Sequence, residues 1–181
     1  MLKAKIKISQ VNNLTDARYF SAWGVDYLGF DINSDSPHFI SPPKVKEISD
    51  WIEGPTILLE ATLDMDDLWI ENYRQYLESV IVEKPSARSE KLLHYIEDGQ
   101  DQPNIVTFKC NDPWSSISIS FVESLIRSYD EVYLDIPFVL ADIDMILASG
   151  IKGLVIRGGE EEMVGFKSYD DLDEIFEHLL V

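Results

Sequence analysis

Ser9 and Gln10 close the alternating run "AKIKIS", and charged residues close almost every comparable run further along: Asp31, Glu60, Glu83 with Lys84, Lys109, Asp135 and Arg157. Carboxylates gathered in one concave place can deliver and accept protons, because neighbours push their pKa values apart. A serine hydroxyl is a poor base on its own and needs an adjacent base to activate it. Arg157 is followed by Gly158 and Gly159. A guanidinium beside free backbone N–H groups can hold an anion, although two glycines after a strand also make an ordinary turn. Glu60, Glu83 and Asp135 are three oxygen donors of the kind Mg²⁺ accepts, but no metal-ligand motif accompanies them, so no metal and no cofactor is expected. His38, protonated, could meet a carboxylate; its ordinary reading is a loop residue.

These side chains need elements to bring them together. Seven apolar runs rich in β-branched and aromatic residues read as strands: "AKIKIS", "DYLGFDI", "PTILLEA", "SVIVEK", "NIVTFKC", "EVYLDI" and "KGLVIRG". Helical patterns lie between them, over Leu14 to Trp23, Pro43 to Ile52, Asp66 to Leu77, Ser89 to Ile96, Trp114 to Tyr129, Ile143 to Ala148 and Asp170 to Leu180. Asn13 can cap the first, and Ser41-Pro42-Pro43 puts proline in the first turn of the second. Gly24, Gly54, Gly99 and Gly150 stand where helices end. Unbroken βα alternation predicts one domain, residues 1–181, built on a parallel sheet covered by helices. In a closed barrel of such units, the C-terminal strand ends form one rim, where chemistry sits.

Composition narrows the function. The chain has 181 residues and is 45% hydrophobic and 27% charged, with a net charge of −18. Such a surface repels nucleic acid and anionic lipid, so neither is expected as a partner. No run of apolar residues is long enough to span a membrane, and the N-terminus lacks a signal-peptide core. Cys110 is the single cysteine, which rules out an internal disulfide and fits a cytoplasmic location.

The ends of the chain resemble phosphoribosylanthranilate isomerase, the (β/α)8 enzyme of tryptophan biosynthesis. That family opens K-I-C-G-I-T-N-L-E-D-A and continues G-A-D-x-L-G-F; this chain has "KISQVNNLTDA" and "WGVDYLGF". The family's S-P-R-x-V-S-P corresponds to "SPHFISPPKVKEI", and its C-terminal V-D-V-S-S-G-V-E segment to "GLVIRGGEEEMVGFKSYDDL". The middle, about residues 56 to 125, matches only in its βα rhythm.

The resemblance implies a TIM-type (β/α)8 barrel and an Amadori rearrangement of a phosphorylated sugar-amine. It implies Asp135 as general acid, Ser9 where the family's base cysteine stands, and Gln10 where its glycine stands. His38 stands for the arginine of S-P-R, and Arg157, Gly158 and Gly159 remain for the phosphate. Because 181 residues is short for such a barrel, one βα unit is expected to be reduced or missing near residues 135–145. There "YLDI" resembles the sixth strand and "PFVLA" the seventh. With the base cysteine and a ligand arginine replaced, weak or no activity is expected. The alternative is a non-catalytic relative that binds a small anionic ligand or a partner protein; a gap in the barrel would expose sheet edges that a second copy, as a homodimer, could cover.

Overall fold

Lys5–Ser9 forms the first strand, β1, because its odd residues are polar and its even residues are Ile6 and Ile8, which pack outward against helices. The computed structural model describes residues 1–86, 93–97, 104–157 and 168–181. Within them, helix α1 (Leu14–Trp23) follows β1, capped by the Asn13 side chain at the Asp16 amide and ended by Gly24 at φ 73°. Then come β2 (Tyr27–Asp31), α2 (Pro42–Ser49), β3 (Thr56–Glu60), α3 (Asp67–Arg74) and β4 (Ile81–Pro85). Strands β5 (Leu93–Glu97) and β6 (Ile105–Lys109) follow with no helix described between β4 and β6. The chain continues through a 3-10 turn into α4 (Ile119–Ser128), then β7 (Glu131–Asp135), a second 3-10 turn, α5 (Ile143–Ala148), β8 (Gly153–Arg157) and α6 (Asp170–Leu179).

The eight strands close into a barrel in chain order, with β8 pairing β1. Every pairing is parallel except those of β5, which runs antiparallel to both β4 and β6. The TIM-type barrel is therefore present, and it is completed in an unexpected way. Leu93–Glu97 overlaps the stretch whose pattern predicts a helix from Ser89 to Ile96 (residues 89–92 lie outside the described residues), and it supplies a strand instead. A hairpin needs no crossover helix, which is how a chain of 181 residues closes eight strands. "PFVLA" forms no strand: Leu140–Asp142 is a 3-10 turn leading into the six-residue α5, so the unit near residues 135–145 is reduced to this short connection. "YLDI" accordingly belongs to the seventh strand, not the sixth.

Two apolar layers hold this frame. The outer one packs strand residues such as Ile8, Phe30 and Leu134 against helix residues such as Phe20, Ile48, Tyr73, Val122, Ile146 and Phe176. The inner one fills the lower barrel with Leu58, Ile96, Tyr133 and Val155. No helix among the described residues is long and apolar enough to cross a membrane.

Candidate active site

Strand register builds the mouth. Ser9 sits opposite Arg157, Asp31 opposite Glu60, Glu60 opposite Glu83, and Lys109 opposite Asp135. Residues at or near the C-terminal ends of neighbouring parallel strands thus stand side by side on one rim. Beneath them is a cavity of about 230 Å³ whose lining includes Lys7, Ser9, Asp31, Glu60, Glu83 and His94. Thr107, Lys109 and Asp135 complete its far wall. Lys84, also at a strand end, turns away and pairs with Asp67 on α3.

Lys7 forms the floor and is 2% exposed. Its Nζ donates to Glu83 and lies 3.5 Å from Glu60 Oε1. Glu83 also accepts from the Thr107 hydroxyl. Burial would push Lys7 down, but the charges of Glu83 and Glu60 outweigh it and hold the ammonium above its ordinary value. The two glutamates are driven apart. Burial pushes Glu60 up, with Lys7 only partly opposing. For Glu83, burial is overcome by the charge and hydrogen bond of Lys7 and by Thr107, so its carboxyl falls below the usual range.

Ser9 is buried and donates its hydroxyl to Glu60 Oε1 at 2.6 Å, while the Gln10 amide donates to Glu60 Oε2 at 3.1 Å. The carboxylate adjacent to the serine is Glu60, from β3. Asp135 is held on the other wall: Arg157 Nη2 reaches its carboxylate at 2.7 Å and Lys109 Nζ lies 3.6 Å away. Asp31 is turned by its own loop, accepting from the Asn33 amide and the Ser36 hydroxyl. The His38 amide in turn donates to Ser36 Oγ, but the His38 ring does not line the cavity among the described residues. Gly158 and Gly159 lie outside the described residues.

The three carboxylates weighed for Mg²⁺ do not meet as a metal set. Lys7 stands between Glu60 and Glu83, and Asp135 is taken up by Arg157 and Lys109. Among the described residues no three His, Cys, Asp or Glu side chains gather to hold a metal.

Lys7, Thr107 and His94 were not singled out from sequence. Lys7 was readable, since it lies two residues before Ser9 and so faces the same side of β1. His94 is hidden in the sequence, because its segment fits a helix as well as a strand.

No protein-family model matches the chain, and no curated protein does. Solved structures do. Phosphoribosyl anthranilate isomerase from Thermus thermophilus superposes with a TM-score of 0.65 at 18% identity, over 97% of this chain and 98% of the other. A phosphoribosyl anthranilate isomerase in complex with reduced 1-(o-carboxyphenylamino)-1-deoxyribulose 5-phosphate gives 0.62 at 15%, over 97% and 98%. Thiamine phosphate pyrophosphorylase from Pyrococcus furiosus gives 0.54 at 12%, over 99% and 98%. The likeness establishes the fold. The solved isomerases it brings up are of the same kind as the family whose motifs the two ends of the sequence resemble.

Proposed function

We propose that this chain is a phosphoribosylanthranilate isomerase-like barrel with weak or no activity in the Amadori rearrangement of N-(5-phosphoribosyl)anthranilate. Asp135 takes the acid's place and Ser9 the base's. Arg157, Gly158 and Gly159 would face the phosphate, and His38, whose ring stands outside the cavity lining, would have to turn inward to meet the carboxylate of the substrate. The structural likeness to isomerases, one of them holding a reduced sugar-phosphate compound, supports this substrate class. A cytoplasmic setting fits a reaction of this kind.

The observation that carries the low activity is the engagement of Asp135, the group in the acid's place. Both oxygens of Asp135 face Arg157, and Lys109 stands beside it. A positioned acid or base contributes about 10²–10⁴-fold each, so blunting either leaves a slow catalyst. The alternative, a non-catalytic barrel that binds a small anion or a partner, is favoured by one feature. Val139, Leu140 and Met145 are exposed apolar side chains in the connection after β7, a surface suited to a second copy of the chain.

The test follows the loss of phosphoribosylanthranilate fluorescence with purified protein, beside Asp135→Asn and Ser9→Cys. Slow turnover that Asp135→Asn abolishes supports the isomerase reading. A gain only with Ser9→Cys means that the substrate binds and the base is what is missing. Silence in all three at high protein concentration leaves the binding reading.

A further inference from the structure

We propose that His94 is the residue that moves the substrate proton in this mouth, standing as base on the wall opposite Ser9; this rests on the mouth carrying out the isomerase-type proton transfer proposed above. Three observations carry it. First, His94 lines the cavity from β5, and in a closed ring of eight strands β5 stands four places from β1 in either direction. A ligand seated between the Ser9–Glu60 pair and β5 therefore has the imidazole on its far side. Secondly, the other titratable groups of the lining are engaged. Glu60 accepts from Ser9 and Gln10, Glu83 is held by Lys7 and Thr107, Asp31 by Ser36 and Asn33, and Asp135 by Arg157 and Lys109. Among the described residues, His94 has neither a side-chain hydrogen bond nor an ion pair, so its ring nitrogens are free for a ligand. Thirdly, its neighbours Pro85 and Thr107, opposite it on β4 and β6, fix the strand that presents it.

The surrounding charges suit the role. Burial lowers the pKa of His94; Glu83 and Asp135 pull it up, Lys109 and Lys7 push it down, and the net direction is below the ordinary histidine value. At neutral pH the ring is uncharged, which is the form that accepts a proton.

The step balances. The reacting form is the ring-opened sugar, its imine nitrogen protonated from solvent. His94 takes the proton from C2; the C–H electron pair becomes the C1–C2 double bond, and the imine pair returns to nitrogen. The imidazolium then returns its proton to C1, and the C2 hydroxyl loses its proton to solvent, leaving the ketone, with His94 as it began.

Turnover of phosphoribosylanthranilate is measured across pH for the natural protein, His94→Gln and His94→Ala, with thermal melts to check folding. The inference expects a loss of about 10²–10⁴-fold in both variants. It further expects the acidic limb of the pH profile to vanish in His94→Gln, and partial rescue of His94→Ala by added imidazole. Turnover unchanged in His94→Gln overturns the inference and leaves the isomerase reading standing. If the natural protein is silent, the readout is imidazole NMR, His94 being assigned by the His94→Gln spectrum. Added reduced 1-(o-carboxyphenylamino)-1-deoxyribulose 5-phosphate should then shift the His94 resonance. Binding without that shift overturns the inference alone; neither turnover nor binding overturns both.

Discussion

Glu60 occupies the space that a side chain on Gly29 would fill. A Cβ built at position 29 would stand 2.5 Å from Glu60 Oε1, 2.8 Å from its Cδ and 2.9 Å from the Ile8 carbonyl oxygen. Gly29 is thus what lets a buried glutamate lie across β2 and reach Ser9 and the Gln10 amide.

Gly29→Ala should therefore cost stability, because neither the backbone of β1 nor the hydrogen-bonded Glu60 can give way freely. Overpacking of this kind costs about 1–3 kcal/mol. A thermal melt should show the midpoint lowered by about 2–4 °C per kcal/mol for a chain of this size. An unchanged midpoint would mean that Glu60 relocates without loss.

Gln10 holds φ at 60°, the one non-glycine residue with positive φ among the described residues. The resembled family has glycine at this position, and the backbone keeps the conformation that glycine adopts without strain. Gln10→Gly should stabilise the fold by up to about 1 kcal/mol, the relief of left-handed strain being partly offset by chain entropy. Urea unfolding reads this directly, as a higher midpoint at unchanged slope.

Lys7→Met should destabilise by about 3–5 kcal/mol, since it strands two buried carboxylates without their cation. The double variant Lys7→Met/Glu83→Leu should recover a large part of that loss, because it removes one of the stranded charges with its partner. If the double variant is as unstable as the single one, the Lys7–Glu83 pair is not the source of the loss.

Acid should act through Glu83 and Glu60 with opposite sign. The carboxyl of Glu83 lies below its ordinary 4.5, so its contribution is present above that value and is lost as pH falls through the folded pKa. Glu60 lies above 4.5, so the folded state keeps its proton longer, and stability falls as pH rises from 4.5 through its folded pKa. Urea midpoints taken from about pH 3 to pH 7 should show a shallower acid limb in Glu83→Gln. Glu60→Gln should lose the decline above 4.5 instead.

The parallel part of the barrel was open to reading. Strands such as Tyr27–Asp31 and Glu131–Asp135 carry β-branched and aromatic residues ahead of a charged last residue, and their ends converge as expected. Which charge would meet which was not readable, because pairing depends on the closed register: Arg157 reaches Asp135 across β7 and β8, and Glu60 reaches Ser9 past Gly29. The stretch "LHYIE" misled for a physical reason. Five residues with three apolar ones fit one face of a helix as well as one side of a strand, and only pairing with β4 and β6 decides.

Because β5 runs against its neighbours, it is the one described strand that offers the mouth a residue from near its start rather than its last position. Its side chains alternate between mouth and outside, so a slip of a single residue in its pairing would exchange the imidazole of His94 for the phenol of Tyr95 or the alkyl group of Leu93. A one-residue insertion or deletion exchanges the two faces of any strand; beside β5 it would change the reactive group of the mouth without any substitution, trading an imidazole for a phenol or an alkyl group.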